Sequence, residues 1–168
     1  MEKTELDVQF LIDKHLIEQN FVIYGRLVDE KRFDELDLVF TSDVTMVVTQ
    51  PTTIALQGLD AVIGAMRQRL GPEANCRLTH HNMTNLNLTV DGDQAESRAN
   101  FLAWHTGRND YEGKVYFMGG HYDDRWRRTP AGWRVAHRIF SIVLTEGDEA
   151  MMWTGAETRP SIVATEEK

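Results

Sequence analysis

The stretch Arg77-Leu78-Thr79-His80-His81-Asn82-Met83-Thr84-Asn85-Leu86-Asn87-Leu88-Thr89-Val90, closed by Asp91-Gly92-Asp93, decides the fold class. Before it, apolar residues recur at helical spacing; within and after it, they alternate. An Asp-Gly step between alternating runs is a strong hairpin signal. Residues 77–90 and 94–106 are therefore expected to pair as antiparallel strands. After Gly107-Arg108-Asn109-Asp110 a third strand is expected over 114–128. Thr129-Pro130-Ala131-Gly132 then turns into a last strand over 133–144.

Upstream, residues 6–28 carry Phe10, Ile17, Phe21 and Tyr24 at spacings of seven, four and three, which predicts a helix. It holds more apolar residues than one stripe needs, so cover on more than one side is expected. A second helix is expected over 30–40, with Phe33, Leu36, Val39 and Phe40 inward. Residues 44–49 read as a strand that turns at Gln50-Pro51-Thr52-Thr53. A third helix over 59–70 carries Val62, Ile63, Met66 and Leu70, and Gly71-Pro72 stops it.

Helices followed by strands predict an α+β domain: about three N-terminal helices packed on a curved, mixed, mainly antiparallel sheet. Residues 1–145 form this domain. The tail, 146–168, has few large apolar residues beyond Met151-Met152-Trp153 and is expected to stand apart or to pack on a neighbouring subunit. A curved sheet wrapped against a long helix makes a cone whose apolar interior can hold a small ligand.

The formal net charge of −8 argues against nucleic acid or an anionic membrane as the main partner. Arg125 to Arg128 is a local cluster balanced by Asp123 and Asp124, and Arg127 and Arg128 fit a solvated edge. No apolar run approaches membrane-spanning length, and no basic-then-apolar leader opens the chain. Cys76 is the single cysteine, so no internal disulfide can form. A cytoplasmic location is expected.

The candidate chemistry lies in Asp29, His81 and His105, on three different segments. An imidazole oriented by a carboxylate, with a second imidazole beside it, moves protons at neutral pH without a cofactor. None is expected, and the tight spacings of common metal sites are absent. His105 shares strand parity with Ala99, Phe101 and Ala103, which should face the concave side. It is there as a hydrogen-bonded core residue or as a proton carrier, and Phe101 is a candidate ligand contact. Strict alternation places His80 with Leu86, Leu88 and Val90, and His81 with Met83 and Asn85. A bulge in this strand would swap the pair. Met83 accompanies His81 as a candidate contact. Asp29 also fits an N-cap of the following helix. Tyr24, one turn before Asp29, can face the same pocket. His121 and Tyr122 are adjacent candidates of which one should face the ligand. Trp104 and Trp126 are assigned to the exposed side of the sheet, which predicts self-association.

Three local patterns carry a resemblance over about residues 5–145. They are Tyr24-Gly25-Arg26-Leu27-Val28-Asp29 with Phe33-Asp34-Glu35-Leu36 and Phe40-Thr41-Ser42-Asp43-Val44; Thr79-His80-His81-Asn82-Met83-Thr84-Asn85; and Gly120-His121-Tyr122-Asp123-Asp124-Arg125 before Gly132-Trp133-Arg134-Val135. The chain resembles the cone-shaped superfamily of nuclear transport factor 2, the SnoaL-like polyketide cyclases and scytalone dehydratase, nearest the dehydratase and dehydrochlorinase branch. The resemblance implies Asp29, His81 and His105 as catalytic residues, with His81 rather than His80 inward. His81 would remove a proton, and His105, with Tyr24 or a water, would donate one. Val28 stands where the dehydratase has a tyrosine. Gly120 and Tyr122 stand where it has substrate-holding serine and asparagine. The implied function is a cofactor-independent lyase or isomerase acting on a small, cyclic, mostly apolar molecule. The alternative is a non-catalytic ligand-binding or assembly domain. Relatives imply a homotrimer or homodimer formed through the sheet.

Overall fold

The computed structural model describes residues 8–50 and 53–152. Helix α1, Val8–Asp29, buries Ile17, Phe21, Tyr24, Leu27 and Val28. Leu6, the expected start, lies outside the described residues. Leu11, Ile12, Leu16, Val22 and Ile23 stay exposed on the opposite side, so within one protomer only one face is covered.

The helix expected over 30–40 is a short 3-10 helix, Phe33–Leu38, which leads into strand β1, Phe40–Val48. Side chains three apart on a 3-10 helix eclipse one another, so Phe33 and Leu36 enter the core together. Phe40 joins the sheet instead of the helix because its backbone pairs with Val135. Strand β2, Ile54–Gln57, was not expected; it folds back antiparallel on β1. Pro51 and Thr52 of the predicted turn lie outside the described residues. Helix α2 spans Leu59–Leu70 and ends where Gly71 N–H bonds the Arg67 carbonyl at 2.9 Å.

Four long strands follow: β3 (Cys76–Asp91), β4 (Gln94–Gly107), β5 (Val115–Thr129) and β6 (Gly132–Glu146). The sheet order is β2-β1-β6-β5-β4-β3. The β1–β6 pair is parallel and the other pairs are antiparallel, so the sheet is mixed and mainly antiparallel. Helices and sheet enclose one core between them.

One irregularity decides the site. Between Thr84 and Asn87, β3 advances three residues while β4 advances two, from Asn100 to Arg98. Asn85 takes φ 55° there. One extra residue inverts parity across the bulge. Leu86, Leu88 and Val90 therefore face the core on one side of it, and His81 and Met83 on the other. His80 points out, with 73% of its side chain exposed.

Other placements differ from expectation. Trp126 is buried, edge-on to Phe21 at 5.3 Å, and its indole N–H donates to Ser97 Oγ at 2.8 Å. It shares parity with Tyr122 and Asp124, whereas Trp104 is on the outer face beside Phe117. Arg128 is no solvated edge: its guanidinium forks onto buried Asp13 at 2.8 and 2.9 Å and stacks on Trp133 at 4.3 Å. Arg127 does reach an exposed partner, Asp43. After β6, a short 3-10 segment, Glu149–Met152, buries Met151 and Met152 against the core of the protomer. Trp153 and the rest of the tail lie outside the described residues. No helix among the described residues is long and apolar enough to cross a membrane.

Candidate active site

Asp29 is the last residue of α1. Beyond it, Arg32 N–H bonds the Leu27 carbonyl at 2.8 Å and Lys31 N–H bonds the Val28 carbonyl at 3.2 Å. Lys31 takes φ 61°, which completes a Schellman stop. Asp29 is thus no N-cap of the next turn, whose cap position is Arg32. A carboxylate at a helix C-terminus opposes the helix dipole, at a cost of about 0.3–1 kcal/mol when exposed. Something else must hold it there.

That partner is β3. Asp29 Oδ1 accepts from His81 Nδ1 at 2.7 Å and from Thr79 Oγ at 2.8 Å, and Oδ2 accepts from the His81 backbone N–H at 3.1 Å. Burial works to raise the Asp29 pKa, but the bonds from His81 and Thr79 bring it net below the ordinary carboxylate value. Gly25 lets α1 approach: a Cβ there would lie 2.9 Å from Met83 Cε and 3.7 Å from the His81 carbonyl.

With Nδ1 donating to the carboxylate, neutral His81 carries its lone pair on Nε2. The His105 ring stands 5.8 Å from the His81 ring, at 88° to it. His105 Nδ1 lies 3.2 Å from the Tyr116 carbonyl, which only accepts, so its lone pair is also on Nε2. Burial and then the neighbouring His81 push the His105 pKa down to about 4. With Nδ1 turned to the Tyr116 carbonyl, the neutral His105 ring presents an acceptor at Nε2.

Both rings line one cavity of ≈ 100 Å³, walled by Val28, Met46, Val62, Met118, Phe140 and Met152 among others. Tyr24 and Tyr122 form part of its lining. The Tyr122 phenol, fully buried, is pushed well up by desolvation and is hydrogen-bonded to Tyr24. Each phenol hydroxyl can donate or accept, so the pair offers the cavity a polar, hydrogen-bonding wall.

Phe101 does not line this cavity. It stacks on Tyr122 from behind, centroids 4.8 Å apart and 20° from parallel. Gly120 makes that stack possible, because a Cβ there would meet Phe101 Cε1 at 2.9 Å and the Ser141 carbonyl at 1.9 Å. Met83 lines a separate open groove of ≈ 450 Å³ between α1 and β3, which also touches Asp29 and His81. His121 is on the outer face, 3.5 Å from Asp123, because Tyr122 takes the inward direction. It is not a cavity residue.

Sequence reasoning missed a buried ion pair beside the cavity. Arg138 is fully buried and forks onto Asp124 with both bonds at 2.7 Å. Its guanidinium carbon sits 4.1 Å from the Tyr122 ring and 4.6 Å from the Tyr24 ring. The signal was present: Asp124 shares parity with Tyr122 and Trp126, and Arg138 with Phe140 and Ile142. Arg69, at the end of α2, also reaches the lining.

A match to the SnoaL-like domain model spans residues 9–139. The chain belongs to the SnoaL-like family. An uncharacterized Mycobacterium tuberculosis protein is 34% identical over 140 residues, covering 83% of this chain and 91% of that one. Two solved structures share the SnoaL-like fold. A protein provisionally assigned as scytalone dehydratase, from Novosphingobium aromaticivorans, superposes with TM-score 0.73 at 20% identity, over 89% of this chain and 96% of that one. The hexachlorocyclohexane dehydrochlorinase LinA-type3 from Novosphingobium barchaimii gives TM-score 0.71 at 14% identity, over 89% and 99%.

Proposed function

We propose that this SnoaL-like chain is a cofactor-independent lyase or isomerase that works by proton transfer. The observation that carries the reading is the 2.7 Å bond between His81 Nδ1 and Asp29 Oδ1 at the wall of a mainly apolar cavity. His81 Nε2 takes a proton from a carbon next to a carbonyl or a leaving group. The C–H electron pair becomes a new double bond. The leaving group departs with its own pair, or, in an isomerase, the carbonyl oxygen holds the charge until His81 returns the proton to another carbon. Asp29 stabilises the imidazolium formed. Tyr24 donates to the oxygen that gains charge, and neutral His105 accepts from a ligand hydroxyl. A positioned base contributes about 10²–10⁴-fold in rate, and exclusion of water adds to it.

Cavity size narrows the ligand. Apolar protein cavities of about 150 Å³ bind benzene. A space of ≈ 100 Å³ is smaller still, so it sets one small ring as the upper limit and leaves no room for a steroid or a fused polyketide. The test is hydrogen–deuterium exchange at the α-carbons of single-ring ketones in D₂O, followed by NMR. The wild type should accelerate exchange for at least one ring, and Asp29→Asn and His81→Ala should each abolish it while circular dichroism stays native. Retained exchange in both variants refutes the mechanism.

A second reading is a non-catalytic ligand-binding domain. It is favoured by Gly120 and Tyr122, which stand where the resembled dehydratase has its substrate-holding serine and asparagine. Ligand binding without any exchange in the wild type would establish it. The outer face of the sheet supports a further part of the proposal, a homotrimer or homodimer formed through that face. Trp104, Leu102 and Leu144 are exposed there, with Phe117 against Trp104 at 5.0 Å.

A further inference from the structure

Behind the Asp29–His81 pair stand two residues that the mechanism above does not use. Lys31 Nζ donates to Thr79 Oγ at 3.1 Å, and Thr79 Oγ donates to Asp29 Oδ1 at 2.8 Å, the same oxygen that accepts from His81. The four side chains form one continuous line from a half-buried ammonium to the imidazole. We infer that Lys31 and Thr79 are positioning residues, the outer half of a relay that fixes the Asp29 carboxylate and weakens its pull on the His81 proton. The inference rests on the proton-transfer reading of this site.

Two observations support it independently. The first is the backbone. Lys31 occupies the left-handed position of a Schellman stop, where glycine fits without strain and a long side chain does not. A non-glycine residue persists in such a place when its surroundings over-determine it, and such places cluster at functional sites. Here the side chain that incurs the strain delivers its amine to Thr79. The second is competition at one atom. Oδ1 has two lone pairs, and Thr79 takes one of them. A carboxylate that shares its charge with a hydroxyl backed by a cation accepts less strongly from His81. The chemistry needs that restraint. An unmoderated carboxylate favours imidazolium, and a protonated His81 is not a base at neutral pH.

The charged and titratable groups around the relay are few. Cys76, Arg108 and Asp29 face Lys31, and the Lys31 charge also acts on His105. His105 and Asp29 face His81, and exposed His80 approaches Asp29 Oδ2 at 3.9 Å.

The test is an NMR titration of the imidazole nitrogens in full-length protein labelled with ¹⁵N-histidine. Thr79→Val should move the His81 titration to higher pH by about half a unit or more, and Thr79→Ser should return it to the wild-type value. Lys31→Met should raise the His81 titration too, and should raise that of His105. Loss of packing alone gives no reason for the serine rescue or for a shift from the lysine. Wild-type titration of His81 in both Thr79→Val and Lys31→Met overturns the inference. An unmoved His81 in Asp29→Asn, by contrast, strikes at the proton-transfer reading itself, so the two failures are told apart.

Discussion

Asp29 closes α1 at the end where the helix dipole repels a carboxylate, and His81 offsets that repulsion with two hydrogen bonds, from Nδ1 at 2.7 Å and from its backbone N–H at 3.1 Å. Local helix preference and the observed residue conflict here. Such conflicts mark positions kept for function more than for folding. The substitution Asp29→Asn should therefore separate the two. The amide keeps an acceptor for His81 but cannot stabilise an imidazolium. Turnover, or catalysed exchange on a ring ketone, should fall about 10²–10⁴-fold. Stability should change by no more than about 1 kcal/mol, because relief at the helix end offsets the weaker bond. Thermal melting beside the activity assay checks both halves. A melting point lowered by more than about 10 °C would assign Asp29 to the fold instead.

His105 links stability to pH. Its pKa in the folded chain is about 4, set by burial and then by the charge of His81, against about 6.5 in an unfolded chain. The folded pKa is the lower one, so between these values the unfolded chain binds more protons. Stability is then fully present above about pH 6.5 and is lost as pH falls toward 4. The loss amounts to roughly 3 kcal/mol at the acid end. Urea unfolding at pH 7, 6, 5 and 4.5 should show it, and His105→Gln should flatten the slope over that window. Asp13, held down to about 2 chiefly by Arg128, contributes to acid unfolding only below about pH 4. An equally steep slope in His105→Gln would remove the assignment.

The Arg138–Asp124 pair offers a test of what shapes the cavity floor. Both side chains are fully buried, and the guanidinium lies against the rings of Tyr24 and Tyr122. Removing one partner leaves a buried charge alone, which costs about 3–5 kcal/mol. Arg138→Met and Asp124→Leu should each lose that much in urea unfolding. The double variant should lose far less than the sum, because no charge is then stranded. Strict additivity would mean that the pair is not coupled.

Much of this was legible in the residues, and the gaps have physical causes. The turn at Asp91-Gly92-Asp93 and the alternation around it gave β3 and β4 almost to the residue. The 3.6 period gave α1 and α2. Phe33–Leu38 failed as an α-helix because apolar residues three apart, Phe33 and Leu36, satisfy an α-helical pattern and a 3-10 pattern equally. Strand β2 has four residues and no turn signal of its own after the Pro51 region. The inward direction of His105 followed from parity alone. That of His81 did not, since it depends on one extra residue at Asn85, and a lone asparagine does not announce a bulge. Arg138 and Asp124 were overlooked because charged residues are rarely fully buried, although their parity placed both inward.

The outer face of the sheet yields the last prediction. Trp104 and Phe117 pair at 5.0 Å on this face, and Leu102 and Leu144 stand in the next row across Gly119. A Cβ on Gly119 would touch Leu102 at 3.2 Å and Leu144 at 3.4 Å, so the row is already close-packed from strand to strand. Trp104 is 40% exposed and Leu144 52%. Monomeric proteins rarely leave a contiguous apolar patch of this kind open to water. Closed symmetry through one shared patch gives a dimer or a trimer. Light scattering at micromolar concentration should return the mass of two or three chains. Leu144→Asp places a charge within the exposed apolar patch and should shift the mass to that of one chain, with the His81 and His105 resonances unchanged. A wild-type mass of one chain would show that this face is simply tolerated in water and that the cavity works in a lone protomer.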